Sequence, residues 1–514
     1  MLAQLLSGAI RGVDAYMVRV EVDLGLGLPC LHVVGLPENA VREGRERVLA
    51  ALANAGFRIP PRRITVNLAP ADIRKEGSAF DLPLALGVLA AAGELPPAGL
   101  QRVCCVGELG LDGTVRPVRG VLPIADRCRA EGVHQLMCPP ANAAEASVVD
   151  GIEVLAVPTL LDAVRHLLGE RRLPRARMAL RSVPARLAWA GPDFADVQGQ
   201  ELAKRALEIA AAGRHNVLMV GPPGAGKSML ARRLPGILPP LHDQESIQAT
   251  KVYSVAGRLR AGQALLETRP FRAPHHTISD AGLIGGGNPP RPGEASLAHT
   301  GVLFLDELPE FRRHVLETLR QPLEDGTIQL GRAGIMLSYP ARFMLVAAMN
   351  PCPCGFRGSS RCECTPAQVQ RYTGRVSGPL LDRIDLHLEV PPLPSERLSE
   401  SRRSEPSHDI RARVVQARDR QLQRFRGRSQ RYANADMGAR ELCEHCRLDS
   451  AAGHKLRQAA QQLALSARAY HRVLRVARTI ADLENSNTVR DVHIAEAVHY
   501  RNTTLAQAVG GASV

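Results

Sequence analysis

A glycine-rich turn that ends in a lysine and a serine follows the strand-like run 216–220, and its sequence is GPPGAGKSM. In loops of this spacing, backbone N–H groups wrap the phosphates of a nucleotide, the lysine reaches the β- and γ-phosphates, and the hydroxyl binds Mg²⁺. We therefore expect ATP at this turn, with Ser228 as a magnesium ligand. The expected nucleotide-binding residues are Gly221, Pro222, Pro223, Gly224, Ala225, Gly226, Lys227, Ser228 and Met229.

Two carboxylates end a second apolar run, in the stretch GVLFLDELPE. In a parallel nucleotide-binding sheet, the carboxyl end of a strand is where one acid organises Mg²⁺ and another activates the attacking water. We assign Asp306 to Mg²⁺ and Glu307 to the water. The alternative interpretation is a solvated acidic strand end without a chemical role.

A third run, RFMLVAAMNPC, brings Asn350 to the same predicted edge. A neutral amide can hydrogen-bond the γ-phosphate or the lytic water without adding negative charge. Lys227, Glu307 and Asn350 are therefore predicted catalytic residues. Asparagine before proline is also a common end to a strand, and this reading stays open for Asn350.

Four cysteines follow Asn350 in a C-x-C…C-x-C arrangement, within NPCPCGFRGSSRCECTP. Four thiolates this close in sequence can close a tetrahedral site, and structural Zn²⁺ is the occupant that such ligands favour. A Cys₄ site has no open coordination position, so no role in activating water is expected. The predicted ligands are Cys352, Cys354, Cys362 and Cys364; four reduced thiols without a metal are the alternative.

The elements that must position these residues divide the chain into regions. Residues 1–167 alternate short strand-like and helical runs, which indicates an α/β domain. An arginine- and proline-rich linker is predicted over 168–192. Residues 193–392 repeat strand before helix, as in a doubly wound nucleotide-binding sheet, with the cysteine insertion at 352–364. Residues 393–514 have long helical patterns and are predicted to form an all-α lid.

Composition and charge limit the classes of function. The apolar fraction of 45% and charged fraction of 23% are typical of a folded globular protein. The sequence contains no long uncharged apolar run and no signal-peptide pattern, so we expect a cytoplasmic protein without a membrane partner. A net charge of +14 makes nucleic acid a candidate partner. The arginine-rich stretches 171–190 and 401–430 are the most basic; a solvated linker and a solvated helix face are the alternatives.

The three strand-end motifs, in this order, resemble the AAA+ ATPases. The stretches FRAPHHTISDAGLIGGGNPPRPGEASLAHTGVLFLDELPEF and SGPLLDRIDLHLEV are similar to the magnesium-chelatase-like branch, and specifically to the YifB/ComM family. The run DLGLGLPCLHVVGLPENAVREGRERVLAAL also resembles the N-terminal domain of that family. The resemblance therefore extends over nearly the whole chain.

This resemblance implies roles for two arginines. Arg383, in LLDRID, matches the arginine finger that reaches the ATP of a neighbouring subunit. An ion pair with Asp382 or Asp385 is the alternative. Arg468 matches the lid arginine called sensor 2, which contacts the γ-phosphate. Further arginines on the same predicted helix, Arg472, Arg475 and Arg478, leave that assignment open. An arginine that acts on a neighbour requires a ring, and the family implies a homo-hexamer.

The N-terminal domain of the family resembles the proteolytic domain of Lon, which raises the question of peptide hydrolysis. Lon uses a serine and a lysine, and the matching positions here are Ala79 and Leu122. Ser78 and Lys75 lie nearby, but a shift of one residue turns a side chain to another face. We therefore predict a Lon-like domain that has lost its protease chemistry.

Two predicted insertions bear on what ATP hydrolysis drives. In this branch of AAA+ proteins, insertions such as 283–294 and the hairpin-like 326–343 line the pore of the ring, where Arg332 would contact a phosphate backbone; a surface hairpin and a lid over ATP are the alternatives. The resemblance implies an ATP-dependent DNA motor acting on single-stranded or branched DNA without sequence preference, as in branch migration during recombination or natural transformation. A chelatase-like ATPase that remodels a protein partner is the rival hypothesis, and a non-enzymatic scaffold is disfavoured by Glu307 and Arg383.

Overall fold

A computed structural model describes residues 2–100, 102–176, 191–332, 335–392, 404–427 and 432–501. Two large sheets organise these residues: a mixed sheet of seven strands in the N-terminal part and a parallel sheet of five strands in the middle of the chain. Helices follow in the C-terminal part and pack on the second sheet. Within the described ranges, every helix is too short or too polar to cross a lipid bilayer.

The N-terminal sheet has helices on both faces, and its strands run in the order β3-β4-β2-β1-β5-β8-β9. The strands are β1 (Leu2–Arg11), β2 (Asp14–Gly25), β3 (Cys30–Val34), β4 (Arg63–Ala69), β5 (Val103–Cys105), β6 (Glu108–Leu109), β7 (Val115–Arg116), β8 (Gln135–Cys138) and β9 (Glu153–Ala156). The helices are α1 (Asn39–Asn54), α2 (Asp81–Ala92), α3 (Pro97–Leu100), α4 (Val121–Ala130), α5 (Pro140–Ala146) and α6 (Leu160–Leu167). Strands β6 and β7 form a separate small pair.

Helix α2 lies inside the apolar core of this domain. Its sequence, DLPLALGVLAAA, is apolar on all sides, and every residue from Asp81 to Ala91 is buried. A helix without a polar face is stable only inside a core, and α2 packs between the sheet and α1. Asp81, at its start, pairs with Arg47 at 2.8 Å; burial nevertheless raises the pKa of that carboxyl to about 6.

The first residues of the predicted linker belong to the N-terminal domain. The Ala176 N–H donates to Val154 O at 2.9 Å, and Arg175 forms an isolated antiparallel β-bridge with Leu155 of strand β9. The rest of the predicted linker up to residue 190 lies outside the described residues.

The second sheet is fully parallel, in the order β11-β14-β17-β10-β18. Its strands and the neighbouring hairpins are β10 (Val217–Val220), β11 (Phe271–Arg272), β12 (Gly285–Gly286), β13 (Arg291–Pro292), β14 (Val302–Leu305), β15 (Thr327–Arg332), β16 (Ile335–Pro340), β17 (Met344–Met349) and β18 (Leu386–Glu389). The helices are α7 (Glu201–Gly213), α8 (Lys227–Ile237), α9 (Asp243–Ala256), α10 (Asp280–Leu283), α11 (Glu294–Leu297), α12 (Arg313–Glu317), α13 (Arg320–Asp325), α14 (Pro366–Thr373) and α15 (Gly378–Leu381).

Strands β10, β14 and β17 are buried along their whole length. Strands of a parallel sheet that is covered on both faces read as continuous apolar runs, and these three runs are the ones that the sequence predicted as strands. That prediction is confirmed. Because parallel strands end at a common edge, the loops after β10, β14 and β17 meet there.

The helical part consists of α16 (Ser407–Arg424), α17 (Ala439–His445), α18 (Ser450–Gln462), α19 (Ala467–Leu483) and α20 (Asp491–His499). It shares one apolar core with α7, α8 and one face of the parallel sheet. Its last residues are tied to β18, since the His387 N–H donates to Tyr500 O at 2.8 Å and Arg501 Nη1 donates to Ile384 O at 2.6 Å. The elements named here, over the described residues, are all helices.

The N-terminal domain rests on α9 through α4 and the residues before it. Lys251 Nζ lies 2.6 Å from Asp126 Oδ2, and the Gly120 N–H donates to Ser254 O at 3.2 Å. The domain therefore contacts α9, the second of the two helices that lie between β10 and β11 in the chain.

Candidate nucleotide site

The loop from Gly221 to Gly226 connects the carboxyl end of β10 to the first turn of α8. Gly224 and Gly226 have φ angles of +78° and +90°, which glycine adopts without the steric cost that other residues carry. The loop thereby ends at the N-terminus of α8, where free N–H groups and the helix dipole attract anions. The strand, turn and helix predicted around this motif are all present.

Lys227 lies at the start of α8 and folds back over the loop. Its Nζ donates to Gly221 O at 2.6 Å, to Pro222 O at 2.9 Å and to Asn350 Oδ1 at 3.1 Å. Burial lowers the pKa of the ammonium, an effect that the nearby Asp306 carboxylate opposes. The structure thus brings Lys227 and Asn350 into direct contact, and it holds the cation at the mouth of the anion-attracting loop.

Ser228 and Asp306 also meet at this edge. Ser228 Oγ donates to Asp306 Oδ2 at 2.6 Å, and Asp306 Oδ1 accepts from the Glu307 N–H at 3.0 Å. A hydroxyl and a carboxylate are oxygen ligands of the kind that Mg²⁺ takes in phosphate sites. The two residues therefore fit the role of holding the magnesium of a bound nucleotide.

Glu307 has a backbone conformation that is unusual for its type. Its φ angle is +52°, and its side chain is 59% exposed. The carboxylate lies 3.2 Å from His276 Nδ1, whose ring stands 4.1 Å from that of His275. Non-glycine residues in the left-handed region cluster at functional sites. Nothing in the sequence marks His276 as part of the site, because no carboxylate or thiol lies at ligand spacing from it.

The four cysteines that follow Asn350 come together in space. Their sulfur atoms all lie within 4.8 Å of one another, and no other such group of three or more possible ligands occurs among the described residues. The arrangement indicates a possible metal site beside the nucleotide loop.

Arg383 lies at the opposite end of the parallel strands, beside the amino end of β10. Its carbonyl accepts from Asn216 Nδ2 at 2.9 Å, and Asn216 immediately precedes β10. Its guanidinium donates to Pro379 O at 2.7 Å and to a carboxylate oxygen of Glu324, which is on α13. The ion pair weighed as an alternative for Arg383 thus exists, but with Glu324 rather than with Asp382 or Asp385.

Arg468 lies on the same side as Arg383 and approaches the same carboxylate, with Nη2 3.6 Å from Glu324 Oε1. Its side chain is 66% exposed, so it is free to move. Glu324 was not singled out in the sequence, since a single glutamate in a short helix carries no recognisable pattern.

The other arginines of α19 have different surroundings. Arg472 lies 2.7 Å from Asp385, and Arg478 is buried beside Asp482 within the helical part. The Nε atoms of Arg475 and Arg383 are buried without a hydrogen-bond partner among the described residues. Arg478 is therefore a structural residue, whereas Arg468 shares the Glu324 carboxylate with Arg383.

These side chains line a cavity of about 550 Å³ between the sheet edge and the helical part. Its wall includes Arg383, Arg468, Arg472 and Arg475, and Glu324 lines it beside Arg383 and Arg468. The Nε donors of Arg383 and Arg475, unused among the described residues, and the positive charge of the four arginines favour an anion at this wall.

The residues weighed for protease chemistry are committed to other contacts. Lys75 is buried and donates to Pro70 O, while Ser78 Oγ donates to Glu108. Leu122 is buried in α4. No hydrogen bond joins Ser78 to Lys75 among the described residues, so these side chains form no nucleophile and base pair here.

Three arginines of the basic stretch 401–430 make contacts within the fold. Arg413 pairs with Glu208 and Glu405, and Arg424 pairs with Asp482. Arg418 is buried, and burial lowers its pKa to about 9. These three cations are used inside the fold. Residues 393–403 and 428–431 lie outside the described residues.

The two predicted insertions form two hairpins that contact each other. Strand β12 pairs with β13, and β15 pairs with β16. Tyr339 Oη on β16 donates to Pro290 O at 3.0 Å. Residues 333–334 at the tip of the second hairpin, together with the side chain of Arg332, lie outside what the structure describes.

Three family models match the chain. The model described as magnesium chelatase, subunit ChlI, matches residues 193–398. The model of subunit ChlI of Mg-chelatase matches residues 20–142, and that of the subunit ChlI C-terminal matches residues 404–501. The three matches cover the N-terminal domain, the parallel sheet and the helical part.

Similar proteins extend this match to the full length. The chain is 46% identical to the competence protein ComM of Haemophilus influenzae over 97% of both chains. It is 43% identical to the uncharacterized protein YifB of Escherichia coli over 96% of both chains. It is also 26% identical to the chloroplastic magnesium-chelatase subunit ChlI of Nicotiana tabacum, over 34% of this chain and 41% of that protein.

The family implies ATPase activity, with ATP and Mg²⁺ as the cofactors that the phosphate loop, Ser228 and Asp306 fit. The geometry of this site and the full-length similarity agree. The chain belongs to the YifB/ComM family of magnesium-chelatase-like AAA+ ATPases.

Proposed function

We propose that this protein is an ATP-driven DNA motor that works as a homo-hexameric ring and hydrolyses ATP between neighbouring subunits. The observation that carries the proposal is the position of Arg383 and Arg468 relative to the phosphate loop. Gly221 follows the carboxyl end of β10, whereas Arg383 lies beside Asn216 at its amino end. The four residues of β10 span about 13 Å, which is beyond the reach of an arginine side chain.

The two arginines would therefore act on the nucleotide of an adjacent subunit. In that arrangement Arg383 and Arg468 exchange the Glu324 carboxylate for the phosphates of the neighbour's ATP. The Glu324 side chain is 51% exposed, so water can solvate its carboxylate once the arginines leave it. The cavity beside Arg383 and Arg468 provides the space for an incoming anion.

Within one subunit, the other residues bind and orient. Lys227 leaves the Gly221 and Pro222 carbonyls to hold the β- and γ-phosphates, and Ser228 and Asp306 hold Mg²⁺. Bound Mg²⁺ neutralises the negative charge that develops on the phosphoryl group. Glu307 orients the attacking water when it leaves His276, and Asn350 donates its amide N–H to the γ-phosphate or to that water.

The net charge of the chain and its similarity to a competence protein support DNA as the polymer that the motor moves. The net charge of +14 favours binding to a polyanion. The similarity to the competence protein of Haemophilus influenzae supports a role in competence. We place the DNA contacts on the β12–β13 and β15–β16 hairpins, with Arg332 at the tip of the second. A role in branch migration during recombination or transformation follows from a motor of this kind.

The test is whether DNA stimulates ATP hydrolysis. We expect single-stranded or branched DNA to raise the ATPase rate several-fold regardless of base sequence. Binding should weaken steeply between low and moderate salt, because each phosphate contact releases about one counterion. ATP turnover at several DNA and salt concentrations, with fluorescence anisotropy for binding, measures both effects.

The Arg332→Ala variant should lose much of this stimulation and keep the basal rate. Lys455, an exposed lysine of α18, provides the control, since Lys455→Ala should keep both. If the protein forms rings and none of the DNA molecules tested changes its ATPase rate, the DNA motor is ruled out. That result would favour the alternative of a chelatase-like ATPase that acts on a protein partner.

A further inference from the structure

The loop between β17 and α14 lacks the features that normally order a loop. Residues 351–365 contain no helix or strand, and only Cys352 and Gly355 are buried among them. Apolar burial is therefore too small to offset the conformational entropy that is lost when these residues are ordered. Something else must hold the loop in place.

The four sulfur atoms in this loop are spaced as ligands of one tetrahedral ion. Cys352 Sγ lies 3.3 Å from Cys354 Sγ and 3.9 Å from Cys362 Sγ, and Cys354 and Cys362 are 3.7 Å apart. A tetrahedron with Zn–S bonds of about 2.3 Å has sulfur atoms about 3.8 Å apart.

Two other chemistries fit this spacing less well. A disulfide requires sulfur atoms at about 2.05 Å. An iron–sulfur cluster has several irons and sulfides between its thiolates, which would hold the thiolates farther apart than the 4.8 Å limit met by all four. A single ion bound by four thiolates is the chemistry that the distances support.

The loop also touches the nucleotide loop. Gly355 has a φ angle of +85°, and a Cβ atom at this position would lie 2.4 Å from Pro223 Cδ. The turn around Gly355 is closed by its N–H, which donates to Cys352 O at 3.0 Å. One tight turn therefore contains both Cys352, a candidate metal ligand, and Gly355, which packs on Pro223.

We propose that Cys352, Cys354, Cys362 and Cys364 bind one structural Zn²⁺, and that this ion holds Gly355 against Pro223 and so stabilises the nucleotide-binding conformation of the phosphate loop. The four ligands saturate the ion, so it takes no part in ATP hydrolysis. The proposal is independent of whether the motor acts on DNA.

Metal analysis of the intact protein tests the site. We expect one zinc per chain by plasma mass spectrometry, and close to none in Cys354→Ser and in Cys362→Ser. The exposed Cys443, on α17, provides the control, and Cys443→Ser should keep its zinc. Wild-type protein that carries no zinc after purification with zinc supplied, or that has a disulfide among these four cysteines, would overturn the site.

Cobalt substitution makes the test independent of how the variants fold. Wild-type protein loaded with Co²⁺ should show strong visible bands of tetrahedral cobalt and a thiolate charge-transfer band in the near ultraviolet. Weak octahedral bands without thiolate charge transfer would contradict a Cys₄ site.

Nucleotide affinity tests the connection to the phosphate loop. Chelating the zinc from the wild type should raise the Kd for a fluorescent ATP analogue several-fold. Gly355→Ala should raise the same Kd, because its new methyl group meets Pro223 and its side chain strains the left-handed turn. If chelation and Gly355→Ala both leave the Kd unchanged, the ion has no effect on the phosphate loop and that part of the proposal is wrong.

Discussion

Replacing Arg383 with alanine is expected to reduce ATP turnover about 1,000-fold or more while leaving nucleotide binding nearly unchanged. The guanidinium offsets charge on the transferring phosphoryl group, and that charge develops in the transition state. Arg383 lies beside the amino end of β10, whereas the phosphate loop follows its carboxyl end. Arg383 is therefore not expected to contribute to nucleotide binding by its own subunit. Turnover and the Kd for a fluorescent nucleotide measure the two effects separately.

Mixing experiments decide whether Arg383 acts on a neighbour. In rings assembled from equal amounts of Arg383→Ala and Lys227→Ala subunits, about a quarter of the interfaces pair an intact phosphate loop with an intact arginine. Some ATP turnover should therefore return, although each variant alone is inactive. No recovery in rings shown to contain both subunits would mean that Arg383 acts within its own chain.

Two further variants separate chemistry from folding. Arg383→Lys should remain nearly inactive, because lysine keeps the charge but lacks the planar fork of the guanidinium. Arg320, on the same helix as Glu324, is 43% exposed, and Arg320→Ala should keep full turnover. A normal melting temperature of Arg383→Ala would confirm that its fold is intact, whereas unchanged turnover would contradict the assigned role.

Replacing Lys227 with alanine is expected to weaken ATP binding and to reduce turnover by roughly 100-fold or more. The ammonium is the cation that touches both the phosphate loop and Asn350, and its loss also leaves the Gly221 and Pro222 carbonyls without their donor. Isothermal titration with ATP and a phosphate-release assay measure the binding and the turnover.

Glu307→Gln provides the matched comparison for Lys227→Ala. Its side chain is 59% exposed, so the substitution should not disturb the fold. We expect this variant to bind ATP and Mg²⁺ normally and to lose turnover, because glutamine cannot accept a proton from the attacking water. A Lys227→Ala protein with wild-type turnover would refute the assignment of the phosphate site.

The Arg383→Ala and Lys227→Ala variants test the ATP site. They do not test which partner the ATPase acts on, for which the support is the similarity to a competence protein and the positive charge. If both variants behave as expected and DNA leaves the rate unchanged, the ATP site is correctly assigned and the partner is not DNA. The two parts of the proposed function can thus fail separately.

The sequence alone determined the phosphate loop, the strand ends at Asp306 and Asn350, and the cysteine cluster. These features are local: a glycine-rich turn between a strand and a helix, or four cysteines within thirteen residues, meets its requirements inside one short stretch. The parallel sheet was predictable for a related reason, because strands buried on both faces must be apolar throughout. Family similarity was equally visible, since it follows the order of residues.

Only the tertiary structure decided which distant side chains share a partner. Arg383 and Arg468 are 85 positions apart in the sequence. Both approach Glu324 because α13, the segment between α15 and β18, and α19 come together at the end of the sheet where the strands begin. In the same way, His276 meets Glu307, and Gly355 meets Pro223, across loops from different strands. Such contacts depend on how strands are ordered in a sheet and how helices cross it, which no short-range pattern of residues encodes.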